Sequence, residues 1–304
     1  MDTVLVTGGL GFTGRHIIQR LTSAGYHAVS YNRDFATSDD DAVTFAQGEL
    51  FDVSRLTRVL RENGVSAVVH TAALSHPTLS LDFPVATFVA NVDGTLGVLE
   101  AMRLAGVTRL VNFSSETVYG AVEGPVTEDT PANPSTPYAV SKVTTEWLGQ
   151  VYQARYGLEA VSLRIGQVYG PGNRMPEILG DLLKAVTKTG SASLPRGRDH
   201  AFNFIHAFDV GRATECALAA RGPFQLRGYN VSSAEHWRVS DVVDLMRKLV
   251  PSADVEVGPG LIPELDVQGP FDCSAARRDL GYAPKWPLER GLAQYAQWLS
   301  SHDA

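Results

Sequence analysis

An α/β fold, with a doubly wound parallel sheet and a smaller C-terminal lobe, is predicted by three features of the 304-residue sequence. Strand-like and helix-like runs alternate strictly through the first half, a glycine-rich turn joins the first strand to the first helix, and the alternation loosens after Gly170. Parallel strands need a crossover between them, and right-handed crossovers wind helices onto both faces of one sheet.

The elements follow in order. Residues 2–7 (DTVLVT) are a short β-rich run ending in glycines, and residues 1–8 read as a strand rather than a leader peptide. Residues 12–25 have helical spacing, with Ile17, Ile18 and Leu21 on one side and Gly25 as the stop. Strand-like runs lie at 27–32, 42–47, 67–71, 109–114 and 159–165, and helix-like segments at 54–63, 84–105 and 137–156. Beyond Gly170, turn-rich stretches at 170–173, 195–198 and 257–270 separate shorter helices at 176–189, 207–220, 239–250 and 288–300. The expected division is a dinucleotide-binding domain over 1–169, rejoined by 203–235, with 170–202 and 236–304 forming a substrate-binding lobe. Ligands of open α/β sheets sit at the carboxyl ends of the strands, where such a lobe closes.

Composition narrows the class. With 26 basic and 33 acidic side chains and a net charge of −7, no Lys/Arg run can track a phosphate backbone, so no nucleic-acid partner is expected. Two cysteines, Cys216 and Cys273, make no disulfide framework and have no metal spacing. No apolar run approaches the ~18 residues of a membrane span. A cytoplasmic protein without membrane or metal is the expectation.

Gly8, Gly11 and Gly14 carry the first chemical signal, in the spacing G-x-x-G-x-x-G. Gly8 permits a tight turn, Gly11 lets the backbone approach a pyrophosphate held by helix N-terminal amides, and Gly14 allows close helix–strand packing. Phe12, within the turn, is counted with the cofactor-binding positions. The end of the second strand selects the cofactor: an acid there serves the ribose of NAD, and an arginine nearby serves the 2′-phosphate of NADP. This chain has neutral Asn32 followed by Arg33, which favours NADP over NAD, although Asp34 lies close by.

Tyr138 and Lys142 form the second signal. Residues four apart share a helix face, and with ten tyrosines and five lysines chance supplies only about 0.2 such pairs in the chain. A lysine charge and a cationic nicotinamide both favour the phenolate, moving a weak base toward a useful range. Lys142 can also hold the nicotinamide ribose. Ser115, at the end of the fifth strand, can donate to a substrate oxygen as charge develops on it.

These residues sit in longer motifs: TGGLGFTG at 7–14, HTAA at 70–73, NVDGT at 91–95, SSETVYG at 114–120, PYAVSK at 137–142, LRIGQVYGPG at 163–172 and LGYAP at 280–284. With them the chain resembles the extended short-chain dehydrogenase/reductase family, the group of NAD(P)-dependent sugar epimerases and dehydratases on a Rossmann-type fold. The resemblance implies Ser115, Tyr138 and Lys142 as the catalytic set. It also implies Ala72, Ala73 and Leu74 along the cofactor, Glu49 and Leu50 near the adenine, and Asn91 in support. A homodimer through the helices at 84–105 and 137–156 is likewise implied.

The family pattern breaks at informative places. Nucleotide-sugar dehydratases carry an Asp-Glu pair after the catalytic hydroxyl, and Glu116-Thr117 lacks the second carboxylate needed for elimination. Where nucleotide-sugar epimerases carry an asparagine and two arginines, this chain has Gln167, Phe202 and the apolar stretch around Ile262. A diphosphate wants charge-assisted donors, so a smaller polar substrate is expected: a free sugar, a sugar acid or another hydroxy compound. Ser75 and His76, in the loop after the fourth strand, join Glu116, Gln167 and Phe202 as substrate candidates, while His206 reads as packing.

The expected activity is hydride transfer at a secondary alcohol or ketone, ahead as a net dehydrogenase or reductase. An epimerase acting on nucleotide sugars through transient hydride transfer shares the machinery. A non-catalytic cofactor sensor is the third alternative.

Overall fold

A computed structural model describes residues 2–222, 224–263 and 265–302. Of the expectations above, the strand at Met1, the turn at Glu264 and the lobe's last residues Asp303 and Ala304 lie outside the described residues.

Six parallel strands follow the alternation read from the sequence: β1 (Thr3–Thr7), β2 (His27–Asn32), β3 (Val43–Gln47), β4 (Val65–His70), β5 (Arg109–Ser115) and β6 (Glu159–Ile165). The short β7 (Gln167–Tyr169), β8 (Ser191–Leu194), β9 (Ala201–Phe202) and β10 (Phe204–His206) come next, then β11 (Gly228–Val231), β12 (Trp237–Arg238) and β13 (Asp254–Val257). The main sheet has seven strands in the order β11-β6-β5-β4-β1-β2-β3, all neighbours parallel. The strand order reverses between β1 and β4, and the crevice at their carboxyl ends is where a doubly wound sheet binds its ligand.

The helices are α1 (Phe12–Ser23), α2 (Val53–Glu62), α3 (Pro77–Asp82), α4 (Pro84–Phe88), α5 (Gly94–Ala105), α6 (Pro137–Tyr156), α7 (Ile178–Thr189), α8 (Ala207–Ala219), α9 (Val239–Leu249) and α10 (Leu288–Ser301). Successive side chains of β1 point to opposite faces, so Val4 and Val6 join a core with Ile17 of α1 and Val210 of α8, whereas Leu5 joins Leu56 of α2 and Leu99 of α5. Each such fully buried side chain contributes about 1.5–3 kcal/mol. A third core, with Leu183, Val242 and Leu292, holds α7, α9 and α10 together with β8 and β13.

Two expectations are corrected. The loop anticipated at 75–78 turns into α3, because Pro77 suits a first helical position and His76 caps it. The segment Pro84–Ala105, which continues from α4 through a π turn (Val89–Asp93) into α5, is long and apolar enough by length and composition to cross a membrane. Half of it is buried against the rest of the protein, as in the core helix of a globular domain.

Helix α6 has clear local causes. Thr136 caps it by accepting from the Ala139 N–H at 3.2 Å, Pro137 fills the first turn, and Gly157 ends it in the left-handed region at φ 73°.

Candidate active site

Ser115 ends β5, and Tyr138 and Lys142 lie one turn apart on α6, which packs across that strand. All three are at least nine-tenths buried. Ser115 Oγ accepts from the Thr117 N–H at 3.2 Å and from the Thr117 hydroxyl at 3.0 Å, and it lies beside the Tyr138 phenol. Lys142 Nζ lies 5.6 Å from the centre of the Tyr138 ring and donates to the Phe113 carbonyl at 2.6 Å. The Tyr138 N–H donates to Ser80 Oγ at 3.1 Å, which ties α6 to α3.

Burial pushes the Tyr138 phenol up to about 12, against the pull of Ser115 and with a smaller push from the Glu116 carboxyl. Burial also lowers Lys142 to about 8, opposed in part by Glu146. In the chain alone burial dominates both groups, and the expected shift of the phenol rests on Lys142 together with a cationic nicotinamide. Both side chains leave water together, and the ammonium spends its hydrogen bond on a carbonyl.

Glu146, one turn beyond Lys142, anchors the helix from behind. Its carboxylate accepts from Ser114 Oγ at 2.6 Å, from Arg164 at 2.8 and 2.9 Å, and from Arg227 at 3.0 Å. Glu146 and Arg164 have 1% and 2% of their side chains exposed, so this pair joins α6, β5 and β6 inside the protein. Sequence reasoning missed it, because an isolated Glu and Arg 18 positions apart carry no local signal.

The glycine turn fits a dinucleotide. Gly8 stands at φ 70°, and a Cβ on Gly14 would meet the Gly8 carbonyl oxygen at 2.2 Å. Gly11 is the N-cap of α1 and has no capping side chain, and the first turn, which begins at Phe12, contains no acid. First-turn amides of a helix have no intrahelical partner, so this end is suited to an anion. Ala72 closes against Gly8, Leu74 donates its N–H to Asn91 Oδ1 at 2.8 Å, and Asn91 in turn reaches Ser141 at 2.9 Å. Asn91 so fixes the 72–74 strip, which includes Ala73, against α6. Glu49 accepts from the Tyr31 hydroxyl through its carbonyl at 3.0 Å, and Leu50 lies over Gly97, whose Cβ would strike the Leu50 carbonyl at 2.2 Å.

Asn32 is buried and engaged: Oδ1 accepts from the Leu10 N–H and Nδ2 donates to Ser30 Oγ, both at 2.9 Å. The adjacent Arg33 is exposed.

Glu116, Gln167 and Phe202 line one pocket together with Asn203, Asp266 and Gln268. Burial pushes Glu116 up to about 8. Ser75 is exposed, and His76 caps α3 by accepting from the Leu79 N–H at 3.2 Å; neither lines the pocket. His206 stacks on Trp286 at 4.7 Å and caps α8, a packing role. Asn203 lies between β9 and β10, and Asp266 and Gln268 come from the turn-rich stretch at 257–270, so nothing local marks them.

The family profile described as the NAD dependent epimerase/dehydratase family matches residues 4–232. A UDP-glucose 4-epimerase of Bacillus subtilis is 29% identical over 338 positions, covering 98% of this chain and 97% of that one. A dTDP-glucose 4,6-dehydratase of Xanthomonas campestris is 29% identical, covering 98% of this chain and 93% of that one. Among solved structures, MoeE5 in complex with UDP-glucuronic acid and NAD superposes with a TM-score of 0.88 at 29% identity, over 98% of each chain.

Proposed function

Because the chain belongs to the NAD dependent epimerase/dehydratase family, whose members are enzymes of the extended short-chain dehydrogenase/reductase type, we propose that it is an NADP-dependent enzyme oxidising or reducing a secondary alcohol of a small polyhydroxylated substrate. The observation that carries this reading is the meeting of Ser115, Tyr138 and Lys142 beside the Glu116 pocket. A nicotinamide, when bound, supplies the hydride acceptor or donor. Ser115 donates to the reacting oxygen, Tyr138 takes or returns the hydroxyl proton, and Lys142 supplies positive charge behind the phenol. Removing the phenol's proton costs least once a second positive charge stands beside it, which matches a base kept neutral in the chain alone.

NADP is favoured because Asn32 has both polar ends tied inside the protein and brings no negative charge, while Arg33 stands free beside it. Elimination is disfavoured because Thr117, in place of a second carboxylate, hydrogen-bonds Ser115. The epimerase reading draws support from relatives named UDP-glucose 4-epimerases. Incubating the protein with a substrate panel while following nicotinamide absorbance separates the two: a net change marks a dehydrogenase or reductase, and conversion without it marks an epimerase.

A homodimer is also inferred. Val85, Trp147 and Val151 are 75%, 53% and 51% exposed on α4 and α6, and apolar faces of this kind are covered by a partner. A sedimenting mass twice the 32.8 kDa chain supports it, and a monomer refutes it.

A further inference from the structure

The Glu116 pocket, next along the chain from Ser115, carries carboxyl groups and neutral polar side chains. Among its described lining residues there is no lysine, arginine or histidine, whereas Glu116 and Asp266 bring two carboxyl groups. Gln268 is 94% buried (6% exposed), and its Nε2 donates to the carbonyls of Glu116 at 2.7 Å and Gly120 at 3.2 Å. Those two bonds fix the amide's orientation, and its Oε1 is buried without a donor. A buried acceptor left unpaired is costly, and Gln268 lines the pocket, so a ligand hydroxyl that reaches its oxygen would be favoured. Phe202 is held in the lining by His200 at 4.6 Å and Phe204 at 5.3 Å, and so offers a fixed apolar surface.

The adjoining cavity shares Leu265 with this pocket. Its lining is Ile178, Leu182, Leu194 and Ile262 with their neighbours, and Asp181 is its one charged described member. Arg174, Arg196 and Arg198 line neither cavity. A phosphate, diphosphate or carboxylate needs charge-assisted donors, and here it would meet carboxyl groups and hydrocarbon instead.

We infer that this site selects an uncharged, unphosphorylated sugar or polyol, its C–H face on Phe202 and its hydroxyls donating to Gln268, Asp266 and Glu116. The inference rests on reading Ser115, Tyr138 and Lys142 as the hydride-transfer set. It turns the wider range of small hydroxy substrates into one class and sets sugar acids and nucleotide sugars outside it. Burial also suits Glu116 to the role, because a carboxyl group kept neutral both donates and accepts.

Saturation-transfer NMR on the NADP-loaded protein tests it with three ligand pools: neutral aldoses and alditols, the matching sugar acids and sugar phosphates, and UDP-glucose with UDP-glucuronic acid. Signal from the neutral pool, with affinities about tenfold or more above any charged counterpart, is the expected result. Signal mainly from either charged pool, or none from the neutral pool, overturns it. Phe202→Arg, with folding checked by its melting curve, is expected to lose the neutral ligand about tenfold and to gain sugar phosphates; unchanged preference counts against the inference. The wild-type comparison stands if that variant does not fold. Tyr138→Phe separates the two readings: it is expected to keep the neutral ligand and lose turnover, whereas retained turnover removes the mechanism and leaves the ligand class intact.

Discussion

Lys142 Nζ stands 5.6 Å from the centre of the Tyr138 ring and donates to the Phe113 carbonyl at 2.6 Å, so the ammonium is fixed behind the phenol. With burial raising Tyr138 to about 12 and lowering Lys142 to about 8, the pair alone holds a neutral phenol beside an ammonium that gives up its proton more readily than usual. Tyr138→Phe is expected to reduce turnover by about 10²–10⁴-fold while leaving the melting temperature nearly unchanged, because it removes one hydroxyl and keeps the buried ring. Steady-state rates beside thermal melts check both halves.

Glu116 gives a pH signature. Its carboxyl is raised from 4.5 to about 8, so the folded chain holds a proton that the unfolded chain has released between those values. Its contribution to stability therefore falls as pH rises from 4.5 to 8. Glu116→Gln is expected to gain stability relative to wild type at pH 8 more than at pH 5, and paired denaturation curves at the two pH values measure it. An equal difference at both would mean that the carboxyl is not raised.

Glu146 and Arg164 form a buried pair whose partners depend on each other. Replacing Arg164 with Met leaves Glu146 with Arg227, itself partly exposed, as its remaining ion-pair partner. The loss is expected to be about 3–5 kcal/mol by urea denaturation, since removing one member strands a buried charge. Because Glu146 also faces Lys142, Glu146→Gln should lower the ammonium's affinity for protons and move the pH–rate profile downward.

Arg33→Ala tests the cofactor choice. Loss of a charge-assisted contact to a 2′-phosphate is worth about 1.5–3 kcal/mol, so NADP binding should weaken about tenfold or more while NAD binding changes little. Fluorescence titrations with both cofactors measure this. Equal weakening of the two would remove the role given to Arg33.

Much of the framework was legible in residue order because its signals are local. Val4, Leu5 and Val6 alternate between two cores as a strand requires, and Pro137 to Gly157 carries its own cap, first-turn proline and stop. Gly8, Gly11 and Gly14 are spaced for one turn, and Tyr138 and Lys142 for one helix face. His76 illustrates the limit: in the sequence it reads as a substrate candidate, and only the fold shows it capping a helix by accepting from the Leu79 N–H at 3.2 Å.

Sequence alone thus determined the fold class, the glycine turn and the Tyr138–Lys142 pair, which rest on periodicity or short spacing, and the family, which rests on the resemblance of its motifs. Tertiary structure decided what surrounds them. It tied Asn32 to Leu10 rather than leaving it to a ribose, buried Tyr138 and Lys142 together, and brought Glu116, Phe202 and Gln268 into one pocket whose described lining holds no lysine or arginine. Burial and unpaired hydrogen-bonding capacity arise from segments up to 152 residues apart, as in the Gln268 contact with Glu116. No local pattern encodes a contact of that separation, because its free energy exists only once the intervening chain has folded.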